Sequence, residues 1–450
     1  MDTRPAEKVV LREYTEYRFE VHGDEEVTIR LHSGTAELFG VELAKEKEYH
    51  FRKCQVAIFT YHGCELSLQG ERASAYTSSD ETPMPPIVNI HTQLDQIRRH
   101  ALETRGAGPR VLVTGPSDTG KSTVSRILLN YALRMSMKPT FVDLDVAHGS
   151  LSVPGTVAAT PLEMNCLSVE DEFILTAPLA YFYGHAEVKE NPELYKHQVS
   201  ELATRVNERL ANDADVNASG VIINTSSWID GAGYQVLLHC IQAFHVDLVI
   251  VLGQDKLHSE LQRDLASTAS TSVIKLPRSD GVVQRSNQQR HQLRMDRFHE
   301  YFYGKHLHST LPMQSPFEFA PHSVDYDVDD LHIYRIQGPL CSYLSVSQVM
   351  LPVGQTHDMV RLRVVPADLT SDLNHCMAAV SHPPSGNGDR DDDDDEQQLL
   401  GSSAAGFVLM YERPISKSVN VAQGKVTLLV PCPGPLPSKN LIVGTLKFME

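Results

Sequence analysis

The chain has 450 residues, enough for two to four domains, and its 41% hydrophobic and 22% charged content is near the globular average. A single small module, a collagen-like or coiled-coil rod and wholesale disorder are excluded. Forty Lys and Arg against 57 Asp and Glu give a net charge of −17, which excludes nucleic-acid binding by bulk phosphate attraction; any such contact needs a local basic cluster.

The N-terminus, from Met1 to Lys8, has no apolar signal core. No run approaches the ~18 apolar residues of a membrane span. The expectation is a cytosolic or nuclear chain with no membrane partner. Seven cysteines without a CxxC pair point to reduced thiols rather than a zinc site or disulfide frame.

Tyr17 to Thr77 reads as short alternating runs: Tyr17 to Val21, Val27 to Leu31, Ala36 to Phe39, Glu48 to Phe51, Val56 to Tyr61, Glu65 to Leu68 and Ala73 to Tyr76. Period-two runs at this spacing predict an antiparallel sandwich or barrel. Ser78 to Pro86 reads as a linker. Beyond it the period changes to that of a helix at Ile90, Leu94, Ile97 and Ala101. Apolar runs follow at Arg110 to Thr114, Thr140 to Leu144, Val221 to Asn224, Leu248 to Leu252 and Val273 to Leu276, alternating with helix-period segments. That alternation predicts crossover units and a parallel sheet covered by helices on both faces.

From about Leu311 mixed short strands return, including Leu362 to Val365, Gly406 to Met410 and Val426 to Val430. Asp389 to Glu396 holds seven acids and only Arg390, a net of −6, so the rest of the chain carries −17 − (−6) = −11. By composition this insertion is a solvated, disordered loop.

The sharpest motif is Gly115-Pro116-Ser117-Asp118-Thr119-Gly120-Lys121-Ser122-Thr123, a GxxxxGK[ST] loop between an apolar strand and an amphipathic helix. In that context the glycines let backbone N–H groups approach phosphate, and the helix N-terminus adds its positive end. In that arrangement Lys121 would neutralise the β and γ phosphates of ATP and the Ser122 hydroxyl would hold Mg²⁺. One crossover later Phe141-Val142-Asp143-Leu144-Asp145 ends in acids; a carboxylate there can hold the magnesium shell or take a proton from an attacking hydroxyl. Asp145, next to the loop, is the better candidate.

Arg290, Arg294 and Arg297 fall on one face of a helix beginning after Ser286, with Arg278 and Arg285 before it. They suit a lid on phosphate or a solvated helix face. Thr225-Ser226-Ser227-Trp228 follows a buried strand and carries the only Trp. That ring can stack on a base or cap the core.

With these motifs the chain resembles the pre-mRNA cleavage complex protein Clp family, polyribonucleotide 5′-hydroxyl kinases and their relatives. The resemblance runs from about Tyr14 to Met449. It rests on the P-loop and on Glu16 to Glu20, Ala36 to Gly40, Ser152 to Thr156, Gly231 to Gln235, Gly281 to Val283 and Glu300 to Gly304. It implies an α/β fold: a central P-loop kinase-like parallel sheet, flanked by an N-terminal β-sandwich domain and a C-terminal α/β domain. The expected boundaries are 1–86, 87–310 and 311–450, with the acidic loop at 381–402.

The resemblance further implies ATP and Mg²⁺ as cofactors. Gly115, Asp118, Thr119, Gly120, Lys121, Ser122 and Thr123 would bind the nucleotide, joined by Glu16 and Gln55 from the N-terminal domain. Ser122 and Asp145 would hold the metal; Lys121, Asp145, Arg285 and Arg290 would be catalytic; Thr225 and Trp228 would clasp RNA. Implied partners are other subunits of the cleavage complex, an RNA 5′ or 3′ end region and the tRNA splicing endonuclease, in the nucleus. Two roles follow: an ATP-binding subunit for mRNA 3′-end processing, or an active RNA 5′-hydroxyl kinase. Three departures bear on turnover: Ala147-His148 replaces the family's Gly-Gln, Ser227 replaces the clasp glycine, and Gln55 replaces a lysine.

Overall fold

The computed structural model describes residues 6–23, 25–78, 82–164, 166–170, 178–266, 271–304, 320–337, 362–367, 373–382, 398–411 and 425–449. The acidic run Asp389 to Glu396 lies outside these residues.

The N-terminal region is all β. Its strands are β1 (Glu7–Leu11), β2 (Thr15–Glu20), β3 (Val27–Gly34), β4 (Glu37–Leu38), β5 (Val41–Glu42), β6 (Glu48–Phe51), β7 (Gln55–Thr60), β8 (Cys64–Gln69) and β9 (Ser74–Ser78). They form two antiparallel sheets, β1-β8-β3-β6 and β5-β4-β7-β2-β9. Alternation explains why they face each other: Val27, Ile29 and Leu31 of β3 are buried with Phe19, Val56 and Ile58 of the other sheet, while the residues between them stay partly exposed. The stretch read as a linker becomes helical at Met84, three residues before its expected end. Prolines at the start of a helix lose no intrahelical hydrogen bond.

Next come α1 (Met84–Thr104), β10 (Arg110–Thr114), α2 (Lys121–Arg134), β11 (Thr140–Asp143), β12 (Thr156–Pro161), β13 (Leu179–Phe182), α3 (Pro192–Asn212), α4 (Ala214–Ser219), β14 (Val221–Asn224), α5 (Ala232–Ala243), β15 (Leu248–Leu252), α6 (Asp255–Leu265), β16 (Ser272–Leu276) and α7 (Asn287–Tyr303). The central sheet has the order β13-β12-β11-β14-β10-β15-β16. Its five strands from β11 to β16 run parallel, as the apolar runs predict. β12 and β13 are added antiparallel, so the sheet is mixed. β12 is interrupted by Thr156 and Thr160 and so lacks the unbroken apolar run by which a central parallel strand is read.

The C-terminal region is a seven-stranded sheet among the described residues: β17 (His322–Asp327), β18 (His332–Gln337), β19 (Arg363–Pro366), β20 (Cys376–Ser381), β21 (Ala404–Tyr411), β22 (Lys425–Val430) and β23 (Asn440–Lys447), ordered β17-β22-β21-β20-β23-β18-β19. Both faces are used. Met377, Ala379, Phe407 and Leu409 join the central core, whereas Ala378, Val380, Val408 and Met410 build a second one. The junction is a backbone-to-backbone seam: Thr445 N–H donates to Gly184 O at 2.8 Å, and a Cβ on Gly444 would lie 1.9 Å from that same oxygen. Gly444→Ala is therefore expected to cost about 1–3 kcal/mol by overpacking and to lower the melting temperature by several degrees. An unchanged thermal profile would show that the seam has slack.

Candidate functional site

The P-loop joins β10 to α2 and depends on two glycines with left-handed backbone. Gly115 has φ +152°, and a Cβ there would lie 2.8 Å from Leu252 O. Gly120 has φ +90°, and Val282 would lie 3.3 Å from its Cβ. Asp118 between them also holds positive φ, at 54°, which Asp tolerates better than most residues. Lys121 is buried, and its Nζ donates to Gly115 O at 3.0 Å and Pro116 O at 2.9 Å. Burial pushes its ammonium below the ordinary lysine value, against the pull of Asp145 and Asp118.

The parallel register sets Asp143 of β11 beside Asn224 of β14. Asn224 Nδ2 donates to Asp143 Oδ1 at 3.0 Å and lies 3.4 Å from Ser122 Oγ. Asp143 Oδ2 also accepts from Ser150 N–H at 2.8 Å and Ser150 Oγ at 2.6 Å. Burial, then the adjacent Asp145 charge, raise its carboxyl above the usual range. For Asp145 burial acts in the same direction, but the charge of His148, then Lys121, outweighs it and leaves the carboxyl below its ordinary value. Asp145 Oδ1 accepts from Ala147 N–H at 3.1 Å, and His148 Nδ1 is 3.6 Å from Asp145 Oδ2.

These residues fit a magnesium ion. Asn224 Oδ1 is buried with no hydrogen-bond partner, while the Nδ2 of the same amide lies against the Ser122 hydroxyl and the Asp143 carboxylate. Among the described residues no three His, Cys, Asp or Glu side chains converge as a metal cluster. A divalent cation would thus take most of its ligands from phosphate and water, which is how Mg²⁺ is commonly held beside nucleotides.

The segment after β16 lies across the loop. Arg285 N–H donates to Asp118 Oδ2 at 3.1 Å, and the Arg290 guanidinium pairs with the same oxygen. A capping box between Ser286 and Gln289 starts α7 at that point.

The N-terminal sandwich closes the other side. Glu16 and Arg18 are buried and ion-paired at 2.7 Å, and the Arg18 guanidinium reaches Ser279 Oγ at 3.5 Å. The sandwich also grips α2. Glu37 accepts from Tyr131 and Arg134, Asn130 Nδ2 donates to Phe39 O at 2.9 Å, and the Arg126 guanidinium lies 5.0 Å from the Phe39 ring centroid. The helix carrying Lys121 at its start is therefore fixed to the sandwich along its later turns.

Together these elements enclose a cleft of about 1290 Å³, lined by Glu16, Gln55, Asp118, Thr119, Gly120, Lys121, Ser122, Thr123, Asp145, Arg285 and Arg290. Arg294 and Arg297 border it too, so the arginine face on α7 looks inward. Gly115 supports the loop from behind. Of the expected RNA clasp, Ser227 borders the cleft but Thr225 and Trp228 do not. The Thr225 hydroxyl donates to Val113 O at 2.9 Å, and the Trp228 ring packs over Gly233, whose Cβ would lie 2.6 Å from the indole.

Sequence reasoning missed Arg18 and Asn224. Arg18 lies two residues from Glu16, hence on the same face of β2. Asn224 is the polar residue that ends the otherwise apolar β14, and such an end at a parallel sheet's carboxyl edge was a usable signal.

Comparison with known proteins accounts for the whole length. Residues 115–304 match the family model described as mRNA cleavage and polyadenylation factor CLP1 P-loop, 10–101 that of the N-terminal beta-sandwich domain of polyadenylation factor, and 319–450 that of pre-mRNA cleavage complex II protein Clp1. The polyribonucleotide 5′-hydroxyl-kinase Clp1 of Bos taurus is 39% identical over 452 residues, covering 100% of this chain and 98% of that protein.

The chain belongs to the Clp1 family.

The Clp1 homologue of Nematostella vectensis is 38% identical over 444 residues, 98% of this chain and 96% of its own. Among solved structures, a chain of the wild-type Clp1p–Pcf11p complex superposes with a TM-score of 0.78 at 25% identity, covering 99% of each. The three-part architecture that the resemblance implies is observed: a β-sandwich, a P-loop domain and a C-terminal region, which was expected as α/β and is a seven-stranded sheet among the described residues.

Proposed function

We propose that this Clp1-family chain is the ATP-binding subunit of the nuclear machinery that cleaves and polyadenylates pre-mRNA, with functional regions at 1–86, 87–310 and 311–450. The observation carrying this reading is the cleft in which sandwich, P-loop and α7 converge. ATP would lie along residues 118–123 with Glu16 and Gln55 on the sandwich side. Ser122 and Asp145 would hold Mg²⁺, which when bound neutralises phosphate charge. The partners consistent with this reading are other cleavage-complex subunits, as for the relative solved with Pcf11p, an RNA end and the tRNA splicing endonuclease. Depleting the protein from nuclear extract of its own cells should abolish 3′-end cleavage of a reporter RNA, and adding it back should restore cleavage. Cleavage that survives depletion would overturn the assignment.

A second reading is RNA 5′-hydroxyl phosphorylation, the activity named for relatives at 39% identity. It is favoured by Asp145 and His148 bordering the cleft with Lys121, Arg285 and Arg290. In that reaction the RNA hydroxyl oxygen attacks the γ phosphorus, its proton passes to Asp145 and ADP leaves, while Lys121, Arg285 and Arg290 carry the charge of the transferring phosphoryl. Transfer of labelled γ-phosphate to a short 5′-hydroxyl RNA separates the two readings: label on the RNA establishes the kinase, and its absence leaves ATP as a structural ligand.

A further inference from the structure

Asp118 sits inside the P-loop, yet its carboxylate faces the segment after β16. One oxygen, Oδ2, accepts both the Arg285 N–H, at 3.1 Å, and the Arg290 guanidinium. The pair is well shielded, with side-chain exposures of 14% for Asp118 and 19% for Arg290. Two further contacts bind the same segment. Val282 packs at Gly120, and Arg18 of the sandwich lies against it, reaching Ser279 and leaving no room for a Cβ at Gly281, which would lie 2.6 Å from Arg18 Nε. Of these three contacts, only the one at Asp118 joins the loop to α7 through a charge, and charge-assisted hydrogen bonds are roughly twice as strong as neutral ones.

We infer that Asp118 is a positioning residue for the lid formed by residues 277–303: its carboxylate ties the start of α7 to the P-loop, aims Arg290 across the cleft, and sets how often the lid opens to admit or release nucleotide. A guanidinium has five donors in a planar fork, so Arg290 keeps donors for phosphate while its Nη2 stays on Asp118. The positive φ of Asp118 turns its side chain out of the loop and toward α7. The phosphate-facing work is left to backbone N–H groups and Lys121. The inference rests on the nucleotide-binding reading of the same cleft and adds what governs access to it.

The test uses the full chain and a fluorescent ATP analogue with Mg²⁺. Asp118→Gly keeps a residue suited to φ 54° while deleting the carboxylate; Asp118→Asn keeps the shape and loses the charge. Association and dissociation rates are both expected to rise at least tenfold in the glycine variant, which removes both charge-assisted contacts of the carboxylate. The dissociation constant should move far less. Arg290→Gln combined with Asp118→Asn should fall well short of the two single effects added together, because both substitutions remove the Arg290–Asp118 pair and only the Arg285 N–H contact is left to weaken. In the nucleotide-free protein, amide exchange across residues 281–290 should quicken in Asp118→Gly.

Unchanged rates with unchanged exchange would make Asp118 a residue that only shapes the loop and would overturn the inference. Faster exchange with unchanged rates would overturn the gating while leaving the tie itself. If the parent fails to bind the analogue, the nucleotide reading falls and the gating falls with it.

Discussion

Lys121→Ala is expected to weaken ATP binding by about one to two decades, from the loss of a charge-assisted contact worth about 1.5–3 kcal/mol. The side chain reaches back along its own loop, with Nζ on the carbonyls of Gly115 and Pro116, so the ammonium is delivered to the ring of backbone groups that would cradle the phosphates. Its charge is costly where it sits: burial lowers its proton affinity, while Asp145 and Asp118 restore part of it. An anion of several charges entering the cleft raises the ammonium's proton affinity further and repays the desolvation. Alanine takes the ammonium from Gly115 O, leaves Pro116 O with only the Thr119 hydroxyl as side-chain donor, and removes the lysine that Asp145 and Asp118 attract. Titration calorimetry with Mg²⁺-ATP reads the effect directly, and parent-like affinity in Lys121→Ala would remove the loop from the nucleotide site. Melting curves of the same variant keep a folding defect distinguishable from a binding one.

The second large effect concerns phosphate transfer to RNA. Ala147→Gly, His148→Gln and Ser227→Gly together are expected to raise it by about a hundredfold, the rate cost of an ångström of misplacement, with ATP affinity little changed. All three positions border the cleft. His148 stands 3.6 Å from Asp145 Oδ2, and its charge holds that carboxyl low against the effect of burial. A carboxylate committed to an imidazole is a poorer acceptor for an RNA hydroxyl proton. Glutamine keeps one donor and one acceptor on the same amide without the ring.

Ser227 acts by bulk rather than backbone strain, since its φ is not among the positive ones; its side chain occupies space at the cleft wall where the family pattern has glycine. Single-turnover transfer of labelled γ-phosphate compares parent and triple variant. Equal transfer, with folding and ATP binding intact, would refute the positional account and favour a subunit in which ATP is held but not consumed.

Much of this architecture was legible along the chain because the signals are local. Alternation within runs of four to six residues drew β2, β3, β6, β7 and β8, since a strand with one buried face must repeat every two residues. Unbroken apolar runs marked β10, β11, β14 and β15, which are buried on both faces. β12 does not read as an apolar run, because Thr156 and Thr160 are buried polar residues inside a mixed stretch, and β13 (Leu179–Phe182) pairs only with β12 at the sheet's edge. The start of α1 was placed late because a Pro-Pro pair reads as loop in isolation, yet it costs nothing in a first helical turn.

The candidate site divides in the same way. The P-loop was readable as a motif because its glycines, lysine and serine act within nine consecutive residues, and the acids of β11 were readable as the polar end of an apolar strand. Sequence alone thus determined a three-part chain with a phosphate-binding loop and a pair of candidate carboxylates. What meets that loop was decided only by the tertiary structure. Asp118 finds Arg285 and Arg290 at sequence separations of 167 and 172 residues. Asn224 reaches Asp143 because β14 inserts between β11 and β10, and Arg18 arrives from a different domain. Trp228 turns onto Gly233 rather than into the cleft. The physical reason is that periodicity reports which side of an element is buried, whereas a polar side chain's partner is set by strand order and domain docking, which short sequence windows do not contain.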